Sequence, residues 1–138
     1  MILPAAFELR PQIGEIYISV MRMIFEFWKK DIMNIPQRKN RTLYGYAEMN
    51  VGDIRNIKKD NVIYDVKTCD NDSVKSHAGI YIMVNNETLV GGKPLSSITD
   101  KNAQDFMLLS IRGELVKIAQ RGLKILPSSV YGQETTKL

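Results

Sequence analysis

Residues 77–90 read HAGIYIMVNNETLV, the segment that indicates the fold class most directly. Residues 77–84 are rich in β-branched and aromatic side chains, which favour a strand over a helix in a run of this length. Asn85 and Asn86 then form a two-residue connection, and asparagine tolerates the positive φ angles that such a turn requires. The stretch therefore predicts a hairpin of two antiparallel strands.

Other segments of the chain also have strand patterns. Apolar and polar residues alternate over residues 15–20, 43–49 and 62–69, which is typical of a half-buried strand. The small residues Gly45 and Ala47 indicate that another part of the chain packs closely there. A short apolar run at 123–126 ends before Pro127 and predicts a last edge strand.

Two segments instead have helical spacing. Apolar residues recur every three or four positions over residues 21–32, until Asn34 and Pro36 end the pattern. A longer helix follows the sequence SITD at Ser97–Asp100, which has the form of a capping box, and Gly122 is a natural residue to end it. Within this helix, Gly113 predicts either a locally weak helix or a close backbone neighbour.

The order of these elements predicts an α+β fold: a mostly antiparallel sheet of four to six strands with two helices on one face. The chain has 138 residues, so we expect a single domain over residues 1–127, followed by a polar tail over 128–138. Residues 50–61 read as a linker with turn formers.

The composition argues against membrane-spanning, secreted and disulfide-bonded classes of protein. No apolar run approaches the roughly 18 residues of a membrane-spanning helix, and the N-terminus lacks the basic start of a secretory signal, so we expect no membrane association and a cytoplasmic location. With one cysteine and one histidine, the chain can form neither an internal disulfide nor a multi-cysteine zinc site.

Positive charge is concentrated between residues 29 and 59, where eight lysines and arginines face three acidic residues, a net charge of +5. If the loops that carry these residues meet at one end of the sheet, they form a basic patch suited to phosphate contacts and base stacking. The alternative is a set of ordinary solvated loops. The candidate nucleic-acid-binding residues are Arg38, Lys39, Arg41, Tyr44, Arg55, Lys58 and Lys59.

A second pattern is Asp53 followed by Asp65-Val66-Lys67. It resembles the D…(D/E)xK signature of restriction-endonuclease-like nucleases. The resemblance implies that Asp53 and Asp65 hold Mg²⁺ and that Lys67 steadies the attacking hydroxide, chemistry that suits a phosphodiester. The alternative is that Asp65 and Lys67 are simply the polar side of a half-exposed strand.

His77 is the one residue whose ordinary pKa suits proton transfer near neutral pH, so we keep it as a catalytic candidate within the nuclease alternative. The segment SHAGIYI around it resembles the histidine strand of NlpC/P60-type cysteine peptidases. That resemblance implies a cysteine partner, but Cys69 lies at a strand end with no helix dipole to lower its pKa, so we do not expect a Cys-His pair.

Phe27 and Trp28 point in directions about 100° apart on the first predicted helix, so one large ring needs cover from elsewhere. Together with seven methionines, this indicates a protein partner or a homo-oligomer, with Phe27 and Trp28 at the interface. We therefore expect a small non-catalytic binding subunit of an intracellular complex that contacts nucleic acid and needs no cofactor. The alternative is a Mg²⁺-dependent nuclease.

Overall fold

The computed structural model describes residues 2–23, 45–68 and 76–125. Their regular elements, in chain order, are β1 (Ile18–Met21), β2 (Gly45–Ala47), α1 (Val51–Arg55), β3 (Val62–Thr68), β4 (His77–Val84), β5 (Glu87–Thr88), α2 (Lys101–Arg121) and β6 (Leu123–Ile125). Short 3₁₀ helices at Pro4–Phe7 and Pro11–Ile13 precede β1. This mixture of helices and antiparallel sheets confirms the predicted α+β class.

Strand β4 is the centre of the main sheet. Its first half pairs antiparallel with β1, from Ile18 opposite Ile80 to Met21 opposite His77, and its end pairs with β5. Strand β3 pairs with β4 over seven residues, from Val62 opposite Val84 to Thr68 opposite Ala78. Because a strand has only two hydrogen-bonding edges, β1 and β5 share one edge of β4 and β3 occupies the other.

The predicted hairpin is confirmed. Asn85 and Asn86 connect β4 to β5 with φ angles of 50° and 66°. Positive φ at both central residues is the geometry that matches a tight turn to the twist of the two strands. The turn therefore fixes the register of β5 on β4.

The core lies between the main sheet and α2. Alternate residues of β4 are buried on one face, and their neighbours on β3 continue that face. Helix α2 contributes its own buried residues at three- and four-residue spacing. The central buried members are Tyr64, Ile80, Ile82, Val84, Ile111, Leu115 and Ile118.

A second, two-stranded sheet pairs β2 with β6, so that Gly45 lies opposite Ile125 and Ala47 opposite Leu123. A Cβ atom added to Gly45 would collide with the carbonyl oxygen of Lys124. The close packing predicted at this small residue is confirmed.

Two local expectations were wrong. Helix α2 begins at Lys101, because the side chain of Asp100, rather than that of Ser97, accepts a hydrogen bond at its first turn. The predicted linker contains the short helix α1, capped by Asn50, whose side chain accepts from the Asp53 amide. The end of α2 is as predicted, because Gly122 is its C-cap residue, with a φ angle of −105°.

Several predictions fall outside the described residues. These are most of the first predicted helix with Phe27 and Trp28, the loop with Arg38, Lys39 and Arg41, the residue Tyr44, and the tail over residues 128–138. The division into one domain and a tail stays a prediction. Within the part of the chain that the structure describes, there is no helix with the length and apolar character needed to cross a membrane.

Candidate functional site

The face of the main sheet opposite α2 carries the most distinctive polar and aromatic side chains of the described residues. Successive side chains of a strand point to opposite faces. Since Ala78, Ile80 and Ile82 are buried towards α2, the intervening His77, Gly79 and Tyr81 point the other way. We call this surface, formed by Tyr17, Lys67, His77, Gly79 and Tyr81, the open face.

Three aromatic rings cluster on the open face. The ring centroids of Tyr17 and Tyr81 lie 5.2 Å apart with the planes tilted by 43°. The His77 ring lies 5.8 Å from that of Tyr17 in an edge-to-face arrangement. Both distances are within the range in which aromatic rings attract one another beyond simple burial.

Gly79 provides the space for this cluster. A Cβ atom added to Gly79 would lie 2.6 to 2.9 Å from three atoms of the Tyr17 side chain, which is too close for any real contact. Tyr17 therefore packs directly on the backbone of β4, between His77 and Tyr81. A larger residue at position 79 would displace the ring.

Lys67 adds a positive charge to the aromatic cluster. Its ammonium nitrogen lies 5.2 Å from the centroid of the Tyr81 ring, within the range of a cation–π interaction. Lys67 is exposed and lies directly opposite Gly79 in the β3–β4 register. The open face thus combines aromatic rings with a lysine that remains exposed to solvent.

Next to Lys67, Asp65 forms an ion pair with Arg55. Arg55 Nε donates to Asp65 Oδ1 at 2.8 Å, and Arg55 Nη2 donates to the carbonyl oxygen of Val66 at 2.9 Å. Partial desolvation alone would raise the pKa of Asp65. The hydrogen bonds from Arg55 and the Val66 amide, with the charges of Arg55 and Lys67, outweigh that effect and lower the pKa. Asp65 is therefore a carboxylate that is already engaged at neutral pH.

The described members of the predicted basic patch do not all lie at the same part of the protein surface. Arg55 lies beside Asp65, close to the open face, and Lys58 is exposed in the loop after α1. Lys59 instead donates to the hydroxyl oxygen of Ser110 on α2, at 2.5 Å. Because the remaining members lie outside the described residues, the patch as a whole stays a prediction.

The metal-binding alternative requires Asp53 and Asp65 to offer free carboxylate oxygens to Mg²⁺. Asp53 is an exposed residue of α1, and Asp65 accepts hydrogen bonds from Arg55 and from its neighbour's amide. Among the described residues, no group of three or more His, Cys, Asp or Glu side chains comes together around a common point. The predicted site has only two carboxylates, so this absence does not test it: the magnesium site stays a prediction, and we derive no reaction step from it.

His77 takes part in the aromatic cluster through Tyr17, at the start of β4. Cys69 lies outside the described residues. The geometry of His77 therefore shows a packing role, while its predicted acid-base role stays a prediction.

A separate cavity of about 810 Å³ lies between β1, β2, α1 and β3. Its lining includes Val20, Met21, Met49, Ile54 and Val66, which are aliphatic or methionine side chains. Arg22 and Arg55 also line the cavity, so it combines an apolar surface with two guanidinium groups. The cavity is therefore a different kind of surface from the open face.

Comparison of the chain with models of protein families, with curated proteins and with solved structures found no match.

Three residues of the open face, Tyr17, Gly79 and Tyr81, are not among the site residues that the sequence predicts. The signal for Tyr81 was present in the period-2 spacing, because residues 77, 79 and 81 of one strand must share a face. A glycine between two aromatic residues on that face also indicates room for a third ring. Tyr17 could not be found in this way, since its position over Gly79 depends on the pairing of β1 with β4.

Proposed function

We propose that this protein is a non-catalytic binding subunit that holds single-stranded nucleic acid on the open face. The observation that carries the proposal is the cluster of Tyr17, Tyr81 and His77 with the Lys67 ammonium over the Tyr81 ring. It lies on the sheet face that does not pack against α2.

Aromatic side chains on a sheet surface are the usual means by which proteins bind unpaired bases. Each stacked base contributes about 1–3 kcal/mol, and the interaction tolerates any base sequence. Tyr17, His77 and Tyr81 are half-buried residues, so each keeps part of its surface exposed to solvent. A duplex hides its bases within the helix, so we expect a preference for single strands.

The charges around the cluster favour the same ligand. Lys67 and Arg55 lie at one side of the open face, and Asp65 offsets part of their charge through its ion pair with Arg55. The chain as a whole carries a formal net charge of +4. Neutralisation of phosphates by lysine and arginine releases counterions, so binding should weaken steeply as salt increases.

Fluorescence anisotropy with a labelled single strand of about 12 nucleotides, a length within the usual site sizes, tests the proposal. We expect a Kd of about 1–100 μM at physiological salt, the range of non-specific binding, tighter binding at lower salt, and weaker binding of the matching duplex. Absence of binding to single-stranded DNA and RNA at about 50 mM salt would refute the proposal.

Variants of the open face separate stacking from general charge attraction. Tyr81→Ala should weaken binding about 10-fold, whereas Tyr81→Phe keeps the ring and should bind as the wild type does. Lys67→Gln should reduce the slope of log Kd against log salt by about one, because one phosphate contact is lost. Lys124→Gln, which removes an exposed lysine from β6, is the matched control and should change neither.

The same oligonucleotides test the nuclease alternative without further design. Incubation with and without Mg²⁺ should leave them intact if the protein only binds. Mg²⁺-dependent cleavage that is lost in Asp65→Ala would establish the nuclease instead.

A further inference from the structure

Helix α2 has a second apolar stripe on the side opposite the core. Phe106, Leu109, Gly113 and Val116 recur at steps of three, four and three residues, and at 100° per residue they point about 170° away from Ile111 and its buried neighbours. Phe106 is 75% exposed and Leu109 is 53% exposed. We call these four residues the outer stripe.

The centre of the outer stripe is open. A Cβ atom added to Gly113 would meet no atom within 4 Å in the described part of the chain, its own helix and sequence neighbours aside. A glycine at this position leaves a shallow gap between Leu109 and Val116, and it costs helix stability without a packing contact among the described residues that would require it. Another surface can therefore approach the helix backbone closely at Gly113.

Charged residues lie along one flank of the outer stripe. Asp105 and Arg112 stand seven residues apart on the same side, which places them about 10.5 Å apart along the axis. Neither forms an ion pair with another residue of the described ranges. An acidic and a basic residue on one flank make that flank complementary to a reversed copy of itself.

We propose that two copies of this chain associate through the outer stripes of their α2 helices, which run antiparallel about a two-fold axis near residues 108 and 109. A two-fold axis brings the same flank of the two helices together and reverses their direction. Asp105 of each copy then meets Arg112 of the other. In the same register, Phe106 of each copy lies between Leu109 and Gly113 of the other, where the gap accepts its ring.

The N-terminal segment enlarges this surface. The Ile2 amide donates to Gln120 Oε1 at 2.8 Å, and the adjacent Leu3 is 59% exposed. Gln120 continues the outer stripe by one further turn of α2. A contact that includes both the helix and Leu3 extends the apolar area that a specific interface requires.

Sedimentation equilibrium of the full chain tests the proposal at up to about 100 μM, where a dimer with a micromolar Kd is mostly associated. We expect the mass to rise from 15.7 kDa towards twice that value with concentration. Phe106→Lys should weaken association at least 10-fold. Ile13→Lys is the matched control, since Ile13 is 60% exposed but lies outside α2, and it should associate as the wild type does.

Charge reversal tests the register itself. Asp105→Arg and Arg112→Asp should each weaken association, because each places like charges opposite one another in the dimer. The double variant Asp105→Arg/Arg112→Asp should restore it. Circular dichroism of each variant confirms that α2 is intact.

Three results would overturn the proposal. They are a chain that stays monomeric over the whole concentration range, a Phe106→Lys variant that associates like the wild type, and a double reversal that fails to restore association. Nucleic-acid binding is a property of the open face and is measured in a separate experiment. A negative result for dimerisation therefore does not count against nucleic-acid binding, and the reverse also holds.

Discussion

The hydroxyl of Tyr64 donates a hydrogen bond to the backbone carbonyl oxygen of Ile111, 2.9 Å away in the buried core. Tyr64 lies in β3 and Ile111 in the middle of α2, so this contact joins the main sheet to the long helix. The Tyr64 ring packs among the apolar core residues while its hydroxyl is satisfied by the helix backbone. The contact fixes where along the sheet the helix lies.

Replacing Tyr64 with phenylalanine should destabilise the protein by about 1 kcal/mol, the usual contribution of one intramolecular hydrogen bond. Phenylalanine keeps the ring packing, and the Ile111 carbonyl retains its position in the helical hydrogen-bond pattern. Urea unfolding followed by circular dichroism measures the change. An unchanged or higher stability would show that the bond contributes nothing to the docking of α2.

The same residue predicts how stability falls at alkaline pH. Burial, with a smaller effect from the charge of Glu114, raises the pKa of Tyr64 above its ordinary range. A raised pKa means that the folded state disfavours the tyrosinate. The contribution of Tyr64 to the free energy of unfolding is therefore fully present below the pKa of an unfolded tyrosine, about 10. This contribution decreases as the pH rises above that value.

Unfolding of the wild type and of Tyr64→Phe should be compared between pH 8 and 11. Other groups titrate equally in both proteins, so the difference in stability between them isolates Tyr64. We expect the wild type to lose its advantage as the pH passes about 10. Parallel curves across this range would contradict a raised pKa.

Local patterns in the sequence predicted most of the main sheet. Alternation located β1, β2 and β3, although it placed the first strand at residues 15–20, and Met21, assigned to a helix, lies in β1 (Ile18–Met21). The hairpin followed from two asparagines whose positive φ angles the structure confirms. Such features depend on residues that are close together in the sequence, so sequence patterns are enough to predict them. Helix α1 was missed because five residues form too short a segment for a periodic pattern, although Asn50 was a visible N-cap.

The candidate site depends on contacts between residues that are far apart in the sequence. Patterns of neighbouring residues do not predict such contacts. Asp65 and Lys67 were correctly placed on one strand, but the pairing of Asp65 with Arg55 requires the packing of α1 beside β3. The position of Tyr17 over Gly79 likewise requires β1 to lie beside β4. Both arrangements arise from tertiary packing rather than from spacing along the chain.

Replacing Gly79 with alanine should disturb the open face without removing any of its functional groups. The added Cβ would lie under the Tyr17 side chain and push its ring away from the sheet. We expect a loss of about 1–3 kcal/mol of stability, typical of overpacking. We also expect weaker binding of single strands at a temperature where the variant stays folded. Wild-type stability together with wild-type binding would show that the Tyr17 ring is not confined by Gly79.

The start of α2 can be tested with two substitutions that distinguish the predicted cap from the observed one. Asp100 Oδ2 accepts from the Ala103 amide at 2.8 Å, so Asp100→Ala should cost about 1 kcal/mol. The Ser97 hydroxyl oxygen accepts from the Asn85 side chain on the exposed surface, so Ser97→Ala should change stability by less than about 0.5 kcal/mol. Chemical denaturation of both variants gives the comparison. The reverse order of effects would place the start of the helix at Ser97.

Two glycines of the α2 region should respond to alanine in opposite directions. At Gly113 the added methyl group meets no atom of the described residues within 4 Å beyond its own helix and sequence neighbours, and alanine favours a helix more than glycine does. Gly113→Ala should therefore stabilise the monomer by about 0.5–1 kcal/mol. At Gly122 the added group would collide with the Glu48 carbonyl oxygen, beside the hydrogen bond from the Glu48 amide to the Gly122 carbonyl. Relief of that clash must separate β2 from β6, so Gly122→Ala should cost about 1–3 kcal/mol.

Thermal unfolding at low protein concentration, where association does not contribute, measures the stability of both variants. A destabilised Gly113→Ala would mean that the outer side of α2 is already covered within one chain, which would also remove the gap on which the antiparallel pairing of two helices depends.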